Sequence, residues 1–134
     1  MSLARQARIG RLGTRSASGG IDLVPFVFAA LDGPGPLGRL VCAVDHKPKR
    51  HGRLRRLDNV AAHPEVTVLV DHYEEEWDRL WWVRLRGTGR QAMGDAERAE
   101  AIAALVAKYG QYRERPPVGA VLVIELTAVR GWSA

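Results

Sequence analysis

Six cations crowd into ten residues, Lys47-Pro48-Lys49-Arg50-His51-Gly52-Arg53-Leu54-Arg55-Arg56, with Asp45 and Asp58 the only acids close by. Such a set is suited to holding an anion. Arginine offers planar two-point hydrogen bonds to a phosphate, and lysine offers a point charge. A helix that starts within the segment would add free backbone N–H groups and a positive dipole end. Without a counter-ion the six cations repel one another. Three readings stand on charge alone: a solvated basic loop, a nucleic-acid surface, and a pocket for a phosphate-bearing small molecule. Pro48 and Gly52 shape a turn directly after a strand, which favours a formed pocket. The acidic run Glu74-Glu75-Glu76-Trp77-Asp78 interrupts the extended positive stripe that nucleic acid needs, so no nucleic-acid partner is expected.

Other chemistry is sparse. His46, His51, His63 and His72 have no metal-ligand spacing with Cys42 or the acids, so no metal is expected. Asp22 and Asp45 do not make a credible acid–base pair, and no nucleophile motif is present, which leaves catalytic side chains unassigned. Cys42, the single cysteine, sits in the apolar run Leu40–Val44 and reads as a buried, inert thiol. Trp81 and Trp82 are adjacent in a strand, so at most one of them faces an interior. Tyr109 and Tyr112 read as packing residues.

The elements that must position the basic segment are mostly strands. Ile9–Thr14 is a short strand, followed by a turn at Ser16–Gly20. Ile21–Leu31 is apolar on both faces, as in a strand covered on both sides, and Pro25 marks an edge or a bulge. Asp32-Gly33-Pro34-Gly35-Pro36 is a turn, and Arg39–Val44 returns as a hairpin partner. Leu54, Leu57, Val60 and Ala61 give a helical stripe that His63-Pro64 stops. Glu65–Tyr73 and Leu80–Gln91 alternate as strands, with Gly87 and Gly89 indicating a bend or a close backbone approach. Asp95–Tyr109 is the clearest helix, with Asp95 as N-cap and Gly110 as C-terminal cap. Arg113–Pro117 reads as a loop, and Ala120–Trp132 is the last strand. The pattern predicts a mainly β fold, a six-stranded barrel with two short helical segments.

Bulk properties set the frame. The chain has 134 residues, enough for one domain spanning 1–134 with its own core. The net charge of +5 favours anionic partners. No apolar run approaches the roughly 20 residues that cross a bilayer. With one cysteine and no signal-peptide pattern, a cytoplasmic location is expected.

Several stretches resemble the pyridoxamine-phosphate-oxidase-like split β-barrels. Ala7-Arg8-Ile9-Gly10-Arg11-Leu12-Gly13-Thr14 is similar to the opening strand of that family, and Pro25-Phe26-Val27-Phe28 to its second strand. Asp45–Arg50, then Arg53–Asn59, then His63-Pro64-Glu65-Val66 resemble its basic turn and helix. Trp81–Gly87 resembles a barrel strand. Val129-Arg130-Gly131-Trp132 resembles the tail of the branch that uses the deazaflavin coenzyme F420 in place of FMN. The likeness covers nearly the whole chain, and the order of the motifs carries it more than any one of them. Many relatives have a helix before the first strand, for which few residues are present here.

The resemblance implies a split β-barrel homodimer with two cofactor sites at the subunit interface. It implies that Lys47, Lys49 and Arg53 hold the cofactor phosphate, with Arg50, Arg56 and Asn59 nearby. Pro25 and Val27 would line the ring, and Trp132 would pack near it, from the other protomer in one arrangement. The implied activity is an oxidoreductase that transfers hydride from F420 to a small unsaturated or oxidised substrate. FMN is the alternative cofactor, and a non-catalytic cofactor-binding protein is the alternative function.

Overall fold

A computed structural model describes residues 2–44 and 52–134, and for residues 52–54 the backbone only. Its elements are α1 (Ser2–Gln6), β1 (Gly10–Arg15), β2 (Ile21–Phe26), β3 (Ala29–Leu31), β4 (Arg39–Ala43), α2 (Gly52–Ala62), β5 (Glu65–His72), a 3-10 turn (Trp77–Arg79), β6 (Trp81–Gln91), α3 (Gly94–Lys108), α4 (Gly110–Glu114) and β7 (Val121–Ser133). The strands form one antiparallel sheet in the order β2-β1-β5-β6-β7-β4-β3. β2 and β3 are its two edges, yet Val27 and Phe28 alone join them. A chain advances at most about 3.6 Å per residue, so the edges come within roughly 11 Å there and the sheet must curl into a split barrel.

The fold is mainly β, as expected, but the counts differ. The described residues form seven strands rather than six, because Ile21–Leu31 breaks at Val27-Phe28 into β2, paired with β1, and β3, paired with β4. That corner explains the two apolar faces of the segment. Phe26 and Phe28 stack 5.3 Å apart in the barrel interior, while Ala29 packs into a second cluster beneath α3. Pro25 is on an edge strand, where a missing ladder donor costs least. The described helices also include α1 and α4, beyond the two expected. Asp95 is not the N-cap of α3. Met93 is, and its backbone N–H donates to Glu97 Oε1 at 2.7 Å. Gly110 opens α4 rather than capping α3, whose C-cap is Tyr109.

Two cores result. The barrel interior holds Leu12, Val68, Val70, Leu85, Leu122 and Ile124, all at most 1% exposed, and Val60 of α2 closes one end. Outside the sheet, Ala101 and Leu105 of α3 cover Val41, Val121 and Val123. Trp81 packs against the interior and Trp82 lies on the other face. The sheet bulges between Arg86 and Gly87. A Cβ at Gly87 would lie 2.5 Å from Glu125 O, which is the close approach the glycine implied. At the corner, Lys108 Nζ donates to Phe28 O at 2.8 Å, and the Tyr109 hydroxyl accepts from Phe28 N–H at 3.1 Å. Burial, with Arg8 adding repulsion, holds the Lys108 ammonium down to about 8. No described helix is long and apolar enough to cross a membrane.

Charged pairs fix α3 to the sheet. Arg90 donates from Nη1 and Nη2 to Glu97 at 2.6 and 2.8 Å and from Nε to Glu125 at 3.3 Å. The Arg90 hydrogen bonds hold the Glu97 carboxyl down to about 2, against the cost of its burial. A carboxyl lowered in the fold stabilises it fully above its ordinary value of 4.5, and loses that contribution as pH falls toward 2. Acid unfolding should therefore weaken in Glu97→Gln. The variant should be about 3 kcal/mol less stable than the parent at pH 7, and the gap should close near pH 2. Urea midpoints measured across that range check it, and a pH-independent gap would refute it.

Candidate functional site

Strand parity on β2 decides what faces the interior end of the barrel. Phe26 and Val24 point inward, so Asp22, two residues further from Phe26, does as well, while Ile21 and Leu23 point out and are 64% and 67% exposed. Helix α2 lies across this end. Its apolar residue Val60 fits over Gly89 of β6, and the same helix turns Asn59, Arg55 and Arg56 toward β1 and β2. The result is a cleft of about 330 Å³ lined by Thr14, Ile21, Asp22, Leu23, Val24, Arg55, Arg56 and Asn59.

The polar groups in it form a chain. Asn59, 5% exposed, donates from Nδ2 to Thr14 Oγ1 at 3.0 Å and to Asp22 Oδ2 at 2.8 Å. The same carboxylate oxygen accepts from Arg55 Nε at 2.9 Å. Arg56 is different. Its Nε is buried and has no hydrogen-bond partner among the described residues. Its guanidinium lies beside the Cys42 thiol, which burial pushes up to about 11 despite the nearby positive charge. Cys42 is thus a packed thiol that stays protonated at neutral pH, as its apolar surroundings in sequence implied.

The expected site residues are distributed as follows. Lys47, Lys49 and Arg50 lie outside the described residues, as does the side chain of Arg53. Arg56 and Asn59 come together in the cleft. Pro25 is on the outward face of β2, opposite Arg11, and Val27 is half-buried in the corner between β2 and β3. Trp132 is elsewhere. Opposite Trp82 across the β6–β7 ladder, it borders a second hollow of about 380 Å³ with Leu69, Asp71, Tyr73 and Leu80. β7 is four strand spacings from β2 in the sheet order, roughly 19 Å around the curl. Thr14, Asp22 and Arg55 line the cleft too: Arg55 is one of the six clustered cations, whereas Thr14 and Asp22 were not among the expected site residues. The inward parity of Asp22 was the available signal, since an inward carboxylate needs a donor.

The outward face of β2-β1-β5-β6-β7 carries the aligned row Pro25, Arg11, Leu69, Arg84 and Arg130. Exposed apolar side chains lie on the same face at Ile21, Leu23, Leu69 and Trp132.

Known proteins share this architecture. The curled sheet superposes on a conserved hypothetical protein of Mycobacterium tuberculosis with a TM-score of 0.77, at 16% identity over 98% of this chain and 81% of that one. An FAD-binding protein of Mesorhizobium loti gives 0.69, at 18% identity over 97% and 88%. A heme-binding protein of Mycobacterium smegmatis gives 0.70, at 22% identity, with this chain matching 98% of its own length but 54% of that protein. At these identities the likeness speaks for the fold. No curated protein matches the chain. The sequence model of pyridoxamine 5'-phosphate oxidase, however, matches residues 2–133. A match from the first helix to the end of the last strand, on a sheet that curls in the way the sequence resemblance implied, leaves no element unaccounted for: the chain belongs to the pyridoxamine 5'-phosphate oxidase family.

Proposed function

We propose that this protein is an oxidoreductase that holds a phosphate-bearing tricyclic coenzyme in the cleft between β2 and α2. The observation that carries the reading is Arg56. Its Nε is buried without a partner among the described residues, which is costly, and an anion in the cleft beside the guanidinium offsets that buried charge. The residues fit such a group. Arg56 would take the phosphate together with the cations of the preceding turn. The exposed apolar side chains Ile21 and Leu23 would lie along the ring. When bound, the coenzyme supplies hydride transfer to a small unsaturated or oxidised substrate. The protein binds it, orients it and excludes water.

F420 is the coenzyme in this reading, on the resemblance of the Val129–Trp132 tail. FMN is the second reading, favoured by neighbours of this fold that are named as FAD-binding proteins. The protein acts as a homodimer. Trp132 and the cleft are separated on one chain, so the tryptophan that packs on the ring is Trp132 of the partner subunit. Leu69, exposed on the outward sheet face on the strand between β1 and β6, supplies apolar contact between the subunits.

Titration with F420, FMN and a short DNA duplex, followed by desalting and absorbance, tests the assignment. Micromolar binding of one coenzyme is expected, with duplex binding weak and salt-sensitive. Arg56→Gln should lower coenzyme affinity at least tenfold, about 1.4 kcal/mol, with folding retained. Unchanged affinity in that variant would remove the cleft from the site. Turnover with enones and quinones separates an enzyme from a carrier.

A further inference from the structure

A carboxylate inside a phosphate site is unexpected, because it repels the ligand it borders. Asp22 is nonetheless fixed there, on an inward strand position, by two donors on its Oδ2. One is Arg55, 61% exposed at its side chain, which has Asp22 as its ion-pair partner. The other is Asn59, whose Nδ2 hydrogens go to Thr14 and Asp22. The cleft therefore has two unlike halves. Around Arg56 a buried donor is unmet among the described residues, whereas around Arg55 the positive charge is already matched.

Resting on the function proposed above, we propose that Asp22 is a specificity residue of this cleft. It accepts a hydrogen bond from a hydroxyl or N–H in the linker between the phosphate and the ring, and it confines the phosphate to the Arg56 half. A carboxylate with lone pairs beyond those its two donors use is a strong acceptor for such a group. The same charge disfavours anions that lack a donor at that spot, which is discrimination by repulsion as well as by attraction. Arg55 is then the counter-ion that keeps Asp22 in place, and not a phosphate ligand.

The test uses the full chain and three probes: the coenzyme that the parent binds (F420 or FMN), its phosphate-free form (the deazaflavin analogue of riboflavin, or riboflavin), which keeps the linker and ring, and inorganic phosphate as a competitor. In Asp22→Asn, affinity for the phosphate-free form should fall at least fivefold while phosphate competes at least threefold more strongly. Opposite signs are the mark of the proposal. Both probes shifting in one direction, or neither shifting, would overturn it. Arg55→Gln gives a second reading at an exposed position where folding is not at stake. Phosphate competition should change less than threefold there, against a tenfold loss in Arg56→Gln, and equal losses in the two variants would overturn the proposal. If the parent protein binds neither FMN nor F420, the function proposed above fails on its own, before any variant is compared.

Discussion

Valine at position 89 should destabilise the protein by about 1–3 kcal/mol and lower coenzyme affinity at least tenfold, although Gly89 touches no candidate ligand. The reason is the seat of α2. An added Cβ at Gly89 would lie 2.9 Å from Val60 Cγ1 and 3.5 Å from Val66 Cγ1. Val60 is 3% exposed and its β-branched side chain is stiff at χ1, so the clash is expected to lift the helix. Asn59 precedes Val60 directly, and Arg56 is one turn before it on the same helix. A shift of α2 thus carries both away from Thr14 and Asp22, whose hydrogen bonds to Asn59 are 3.0 and 2.8 Å long and cannot stretch far. The repair is specific. Val60→Ala in the Gly89→Val background should return much of the lost affinity, while Val60→Ala alone leaves a cavity and lowers stability. Titration of the single and double variants with FMN or F420 decides the matter. Full affinity in Gly89→Val would show that the position of α2 does not set the site.

The same glycine shows what sequence could and could not reveal. Gly87 and Gly89 in an otherwise regular strand signalled a bend or a close approach, and both occur, one as a bulge against β7 and one as the seat of a helix. Nothing local in the sequence tells which glycine does which, because the partner of each is more than twenty residues away. The split of Ile21–Leu31 was hidden for a related reason. An apolar run reads alike whether one strand is covered on both sides or two strands face two different cores. The basic segment was legible as charge, yet the group that organises its helical part, Asp22, comes from β2. Asp22 was set aside as half of an unconvincing acid–base pair, when its parity with Val24 and Phe26 already pointed it inward. The caps of α3 misled because Asp95 has a capping side chain and Gly110 a capping backbone, whereas the carboxylate of Glu97 was the group that met the free N–H of Met93.

Arg39→Met should be the most destabilising of the charge-removing substitutions on the α3 side, costing about 3–5 kcal/mol, and should leave the coenzyme cleft intact. Arg39 begins β4, 7% exposed, and nothing in its local sequence marks it. Its guanidinium pairs with Glu100 at 3.1 Å and Glu97 at 3.7 Å. It also donates to Asp32 O at 2.9 Å and to Gly33 O, so one side chain ties α3 to the turn between β3 and β4. Methionine fills comparable volume but leaves those carbonyls without their donor and Glu97 with Arg90 as its remaining cation among the described residues. Lysine should recover only part of the loss, since a single ammonium cannot meet two carbonyls and two carboxylates in one plane. Glu97→Gln added to Arg39→Met should cost less than it does alone, because part of its stabilisation has already gone. Urea midpoints for the four proteins give that cycle directly, and strict additivity would mean that Arg39 and Glu97 act independently. Coenzyme affinity of the folded variants supplies the second readout. The α3 cluster and the α2 cleft share no residue, so a tenfold loss of affinity in Arg39→Met would show that the two sides of the sheet are coupled.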